Sequence, residues 1–140
     1  MTESKYIWMD GEFTPWQDAK VHVLSHTLHY GNGAIEGTKA YRTVDGRCAI
    51  FKLNEHTQRL LNSSKMTLMN VPFSLEELNK AQVELLQKNE LTNGAYLRPL
   101  VYLGYGVMGL YHKDAPVKVS ISAWEWGAYL GEEGLKKGVR

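Results

Sequence analysis

The chain has 140 residues, 16 Lys+Arg against 15 Asp+Glu for a net charge of +1, and is 44% hydrophobic. Such a chain can bury an adequate core without staples, and its composition is that of a globular domain rather than a disordered or collagen-like sequence. Near-neutral charge with no Lys/Arg block argues against nucleic acid or an anionic membrane as partner, and the single cysteine, Cys48, cannot form an internal disulfide.

The run Tyr6-Ile7-Trp8-Met9, Asp10-Gly11, Glu12-Phe13-Thr14 reads as a β-hairpin about an Asp-Gly turn, with Pro15 ending the second strand or confining it to an edge. Val21 to Leu24 is a short apolar stretch followed by a Ser/His/Thr-rich turn. Two β-prone runs, Gly33 to Tyr41 and Arg47 to Leu53, flank Asp45-Gly46 as a second hairpin. Residues 54–66 contain no Gly or Pro and carry Asn54 as N-cap candidate, which predicts a helix. Ser74 with Glu77 three residues on forms a capping box. Leu75, Leu78, Ala81, Leu85 and Leu86 then make an apolar stripe at helical spacing, to about Asn89. Ala95 to Leu103 and Val117 to Ala123 read as strands joined by a Gly-rich aromatic loop. From Trp126 onward glycines interrupt the chain and no core pattern develops, as in a connector. Hairpins segregated from helices predict an α+β fold: a mostly antiparallel sheet with about two main helices packed on it. The N-terminus lacks the apolar core of a signal peptide and no stretch reaches about 18 apolar residues, so the expected location is the cytoplasm.

Five groups of residues invite a chemical reading. Gly31, Gly33 and Gly37 lack the spacing of a dinucleotide loop and precede a strand, not a helix. His22, His26 and His29 fall at i, i+4 and i+7, a zinc-like spacing on a helix, but the β-branched Val21, Val23 and Thr27 disfavour that helix and no metal is expected. Arg59 in the predicted helix is either a surface partner of Glu55, worth about 0.3–0.5 kcal/mol, or an anion clamp. Tyr96 and Arg98 share a strand face with Leu100 and Tyr102; an arginine there is paired with a carboxylate of the chain or faces a cavity that binds one. Ile35 and Gly37 likewise share a face, an apolar wall beside a gap.

Several segments together, in order, resemble one family: His29-Tyr30-Gly31 with Ala34-Ile35-Glu36-Gly37, Phe51-Lys52-Leu53-Asn54-Glu55-His56 leading to Arg59-Leu60, Tyr96-Leu97-Arg98-Pro99, and Trp126-Gly127-Ala128-Tyr129. The chain resembles the N-terminal part of branched-chain amino-acid aminotransferases, fold-type IV pyridoxal-phosphate enzymes. The resemblance implies a small N-terminal domain over residues 1–126, an interdomain connector over 127–140, and a cofactor domain beyond. It implies transamination between a branched-chain L-amino acid and 2-oxoglutarate. Arg59 is expected on the pyridoxal 5'-phosphate phosphate, Tyr96 on the substrate α-carboxylate, and Arg98 on the side-chain carboxylate of glutamate. Ile35, where family members commonly carry Phe, joins Trp126 and Tyr129 as the apolar wall, with Gly37 supplying clearance. Tyr30, Met108 and Leu110 are expected to complete the site of a neighbouring subunit, so the partners are amino acid, 2-oxo acid and a second copy in a homodimer or higher homo-oligomer. The lysine that bears the cofactor as a Schiff base is expected beyond Arg140, which would leave this stretch inactive by itself. The alternatives are an aminotransferase of D-amino acids and a stand-alone binding or assembly domain.

Overall fold

The first turn shows how closely local chemistry is followed. Asp10 and Gly11 both take positive φ (49° and 103°), the pairing that matches strand twist in a two-residue hairpin, and they join β1 (Tyr6–Met9) to β2 (Glu12–Pro15). A computed structural model describes residues 2–126 and 137–138. A 3-10 turn at Trp16–Asp18 and the short helix α1 (His26–Tyr30) lead into β3 (Gly33–Ile35), β4 (Thr38–Arg42) and β5 (Cys48–Ile50). Helices α2 (Leu53–Met66) and α3 (Leu75–Lys88) follow, then β6 (Gly94–Leu103) and β7 (Val117–Trp124).

All seven strands form one antiparallel sheet in the order β2-β1-β7-β6-β4-β5, with β3 also paired to β6. The fold is therefore α+β, as the segregation of hairpins and helices predicts. Strand β6 is central. Its odd positions Leu97, Val101 and Leu103 are buried together with Val119, Ile121 and Ala123 of β7. Onto that face pack Leu60 of α2 and Leu78, Ala81, Leu85 and Leu86 of α3, so four of the five predicted stripe positions enter the core. The even positions of β6 form the opposite face, away from α2 and α3, with α1 meeting it only at the end where Thr27 approaches Gly33 opposite Tyr102. The capping box forms in full: Glu77 N donates to Ser74 Oγ at 3.2 Å and Ser74 N to Glu77 Oε2 at 2.7 Å.

Three local expectations change. The run Gly33 to Tyr41 is not one strand but two, β3 and β4, although both keep the same register against β6, Ile35 opposite Leu100 and Thr38 opposite Leu97. The break falls where Glu36 N donates to Pro99 O at 3.0 Å, because Pro99 has no N–H to return that bond. Helix α2 begins one residue earlier than Asn54, after Lys52 in the left-handed conformation (φ 53°). Asn54 instead accepts a bond from Asn79 Nδ2 on α3. The histidine segment does contain a helix, but only the five residues of α1, with His22 outside it.

Candidate functional site

The open sheet face gathers the predicted substrate residues along β6 and its neighbours. Alternation puts Tyr96 and Arg98 on that face, and the register sets Gly37 beside Arg98 and Lys39 opposite Tyr96. Arg98 Nη2 donates to Tyr96 Oη at 2.7 Å and the guanidinium lies 5.2 Å from the Tyr96 ring centroid. Trp126 meets the Tyr96 ring edge-on at 4.7 Å, and Trp124 completes an aromatic trio at 5.2 Å from Tyr96. Arg98 is half-buried and its Nε is buried without a hydrogen-bond partner; no carboxylate pairs with it among the described residues. The carboxylate partner that one of the two sequence readings requires is not found among the described residues.

Gly37 stands directly against Tyr96. A Cβ at this position would stand 2.2 Å from Tyr96 Oη, so the gap is filled by the tyrosine hydroxyl that bonds Arg98. Ile35, exposed on the same face, extends it one pleat toward Leu100. Tyr129 lies outside the described residues, as does most of the expected connector.

Arg59 lies on the helix side of the sheet. It does not pair with Glu55, whose carboxylate takes Lys52 Nζ at 2.8 Å. Its partner is Glu36, brought in from the broken strand: Nε donates to Oε1 and Nη2 to Oε2 at 2.7 Å, a side-on bidentate pair. His56 Nδ1 lies 2.9 Å from the same Oε2 and Gly37 N 3.3 Å from it. Glu36 is only 5% exposed, yet the Arg59 guanidinium holds its carboxyl below the ordinary value against the opposing push of burial, helped by His56 and the Gly37 amide. The arginine is mostly solvent-facing, and Nη1 makes no hydrogen bond among the described residues. A side-on pair uses Nε–H and one Nη2–H, which leaves the N–H groups of Nη1 and one of Nη2, with His56 Nδ1 3.3 Å from Nη2.

A third group forms at the other end of β6. Tyr30 Oη accepts from Gly109 N at 3.0 Å and His26 Nε2 meets Gly109 O at 2.8 Å, so one residue of the loop 104–116 is held through both backbone groups. Met108 and Leu110 flank that residue and are exposed. The histidines are engaged separately: His29 Nε2 meets Val23 O, and His22 Nδ1 accepts from Leu24 N and its ring stacks on Tyr105. Among the described residues no group of His, Cys, Asp or Glu is placed to hold a metal, and no helix is long and apolar enough to cross a membrane.

Glu36, His56 and Trp124 carry no role in the sequence reading. The signal for Glu36 lies in its phase: it alternates with Ala34, Thr38 and Ala40, the positions that turn inward, so an acid there needs a partner.

Residues 33–140 match the amino-transferase class IV family. The chain is 48% identical over 134 residues to a branched-chain-amino-acid aminotransferase of Pseudomonas aeruginosa, covering 96% of this chain and 43% of that protein. It superposes on the Escherichia coli branched-chain amino acid aminotransferase with a TM-score of 0.89 at 43% identity, over 97% of this chain and 44% of that one. The branched-chain aminotransferase of the thermophilic archaeon Thermoproteus uzoniensis, solved with norvaline, gives 0.86 at 36% identity, over 92% and 43%. The chain thus spans less than half the length of these relatives.

Proposed function

This chain belongs to the class IV amino-transferase family, and from that premise we propose that it supplies the small-domain half of the active site of a branched-chain amino-acid aminotransferase. The reaction moves an amino group between a branched-chain L-amino acid and 2-oxoglutarate, giving the branched 2-oxo acid and L-glutamate. The enzyme is cytoplasmic and assembles from at least two copies, with Tyr30, Met108 and Leu110 directed toward the neighbouring copy's site. Residues 1–126 form the small domain and 127–140 the connector to the cofactor domain, which bears the Schiff-base lysine.

Pyridoxal 5'-phosphate, when bound, supplies the electron sink that makes a Cα–H bond labile. Arg59 fits its phosphate, since Nη1 makes no hydrogen bond among the described residues while Glu36 holds the Nε/Nη2 edge from behind. Tyr96 and Arg98 do different work on the open face. Tyr96 Oη, which accepts from Arg98, retains its own proton to donate to an α-carboxylate. Arg98 offers its remaining N–H groups to the second carboxylate that glutamate and 2-oxoglutarate possess and leucine lacks. Trp126, Tyr129 and Ile35 provide the apolar surface that accepts a branched side chain in the other half-reaction. One pocket thereby serves an acidic and an aliphatic substrate in turn.

The observation that carries this reading is the half-buried Arg98, with an unpartnered Nε and no carboxylate of the described residues to neutralise it. A charge left so is costly unless a ligand completes it. The test is Arg98→Ala in the full-length protein. Hydrogen bonds to charged groups are worth about 1.5–3 kcal/mol, so kcat/KM with glutamate should fall roughly 10- to 150-fold while that with leucine changes by less than about threefold. Equal losses with both substrates would remove Arg98 from side-chain recognition.

A further inference from the structure

Glu36 belongs to no substrate or cofactor contact in the function proposed above, yet it is the most heavily coordinated side chain near the site. Its carboxylate collects Arg59 Nε and Nη2, His56 Nδ1 and the Gly37 amide, while being almost wholly buried between the sheet and α2. His56 and Arg59 are three residues apart on α2 and so share one helical face over the strand break. The charge balance is unusual for a phosphate site, because a buried anion sits against the very arginine that is to bind an anion. As a charge alone Glu36 would weaken phosphate binding. As a template it does the opposite, since both contacts are on one edge of the guanidinium and fix its plane. A long exposed arginine otherwise samples many rotamers, and holding it in one removes the entropy that a ligand would have to meet.

We propose that Glu36 is a positioning residue for phosphate recognition, locking Arg59 side-on so that its Nη1/Nη2 end is presented to the phosphate of pyridoxal 5'-phosphate. This inference rests on the reading of Arg59 as the phosphate ligand. Glu36 does not touch the phosphate. His56 Nδ1 meets the same Oε2 at 2.9 Å and stands 3.3 Å from Arg59 Nη2, so the imidazole packs against the edge where carboxylate and guanidinium join.

The experiment measures, by equilibrium dialysis on the full-length protein, the dissociation constants of pyridoxal 5'-phosphate and of pyridoxal, which lacks the phosphate. The ratio of the two reports phosphate recognition; general damage to the site shifts both constants together and leaves the ratio alone. Arg59→Ala tests the underlying reading and should collapse the ratio at least 30-fold. Glu36→Gln, which keeps shape but loses the charge that fixes the fork, should lower it about tenfold. Arg59→Lys keeps the positive charge but cannot be held side-on, and should also lower the ratio about tenfold. A ratio unchanged by Arg59→Ala defeats the phosphate reading and the inference with it. A ratio lowered by Arg59→Ala but unchanged or raised by Glu36→Gln defeats the positioning role alone, because the carboxylate then acts as a competing charge. Should Glu36→Gln fail to fold, Arg59→Lys decides: wild-type discrimination there shows that charge suffices and overturns the proposal.

Discussion

Replacing Gly37 by alanine tests the packing on which the open face depends. The backbone at Gly37 is in an ordinary region, so alanine itself is not strained there and would gain about 0.4–1 kcal/mol by restricting the unfolded chain. Against that gain stands a Cβ placed 2.2 Å from Tyr96 Oη, 3.0 Å from Cζ and 3.3 Å from Cε2. The ring cannot simply slide, since Trp124 and Trp126 stand 5.2 and 4.7 Å from it by centroid, and its hydroxyl is tied to Arg98. Overpacking of this kind costs about 1–3 kcal/mol, and displacement of the hydroxyl forfeits a hydrogen bond worth about 1 kcal/mol at a half-exposed position. The net expectation is a loss of about 1–3.5 kcal/mol, which for a chain of this size lowers Tm by about 3–14 °C. Urea unfolding of the four members of a Gly37→Ala and Tyr96→Phe cycle measures it. In the Tyr96→Phe background the nearest approach relaxes to the ring carbon, so Gly37→Ala should cost at least about 1 kcal/mol less than in the wild type. Equal costs in both backgrounds, or a stabilised Gly37→Ala protein, would refute the reasoning that Gly37 exists to admit the tyrosine hydroxyl.

Two further outcomes follow from the ion and cap chemistry. The folded-state pKa of Glu36 is depressed by Arg59, so its contribution is present at neutral pH and lost as pH falls through that depressed value, below the usual carboxylate range of about 4. The stability gap between wild type and Glu36→Gln should therefore be widest near neutral pH and narrow as the medium is acidified below that range; urea midpoints across the titration measure it, and a constant gap would contradict the ionised carboxylate. Ser74→Ala removes the side-chain half of the α3 capping box and should cost about 1 kcal/mol by urea unfolding, with no effect on either pyridoxal constant.

The elements with strong local chemistry are legible in the sequence. The Asp-Gly hairpin, the Ser74/Glu77 box, the α3 stripe and the alternation of β7 each state their conformation within a few residues, and the structure repeats them. What escapes is non-local. The strand break at Glu36 depends on a proline far along the chain, on the strand opposite. Pairing Arg59 with Glu55 follows the i,i+4 rule, but Glu55 has a nearer cation in Lys52, and a buried acid on the sheet holds the arginine more firmly than any surface partner. That the Tyr96 hydroxyl packs directly against Gly37 is likewise invisible in sequence spacing, because it depends on the cross-strand register. The histidine spacing suggests a face only if a helix runs its full length, and α1 is too short for that.

The Arg59 and Arg98 groups meet at one peptide bond, between Glu36 and Gly37. Successive residues of a strand point to opposite faces, so Glu36 enters the helix layer to hold Arg59 while Gly37 faces the open side to admit Tyr96. A slip of one residue would exchange them, setting a carboxylate against Tyr96 and Arg98 and leaving Arg59 without its anchor. The register is kept on both sides of the break by the inward positions Ala34, Thr38 and Ala40, all buried. Larger inward residues would push α2 off the sheet and lengthen the reach from Arg59 to Glu36. The small side chains of this run are therefore part of the geometry of the Glu36–Arg59 pair: they set how close the helix lies, and that closeness is what lets one carboxylate hold the arginine by its side.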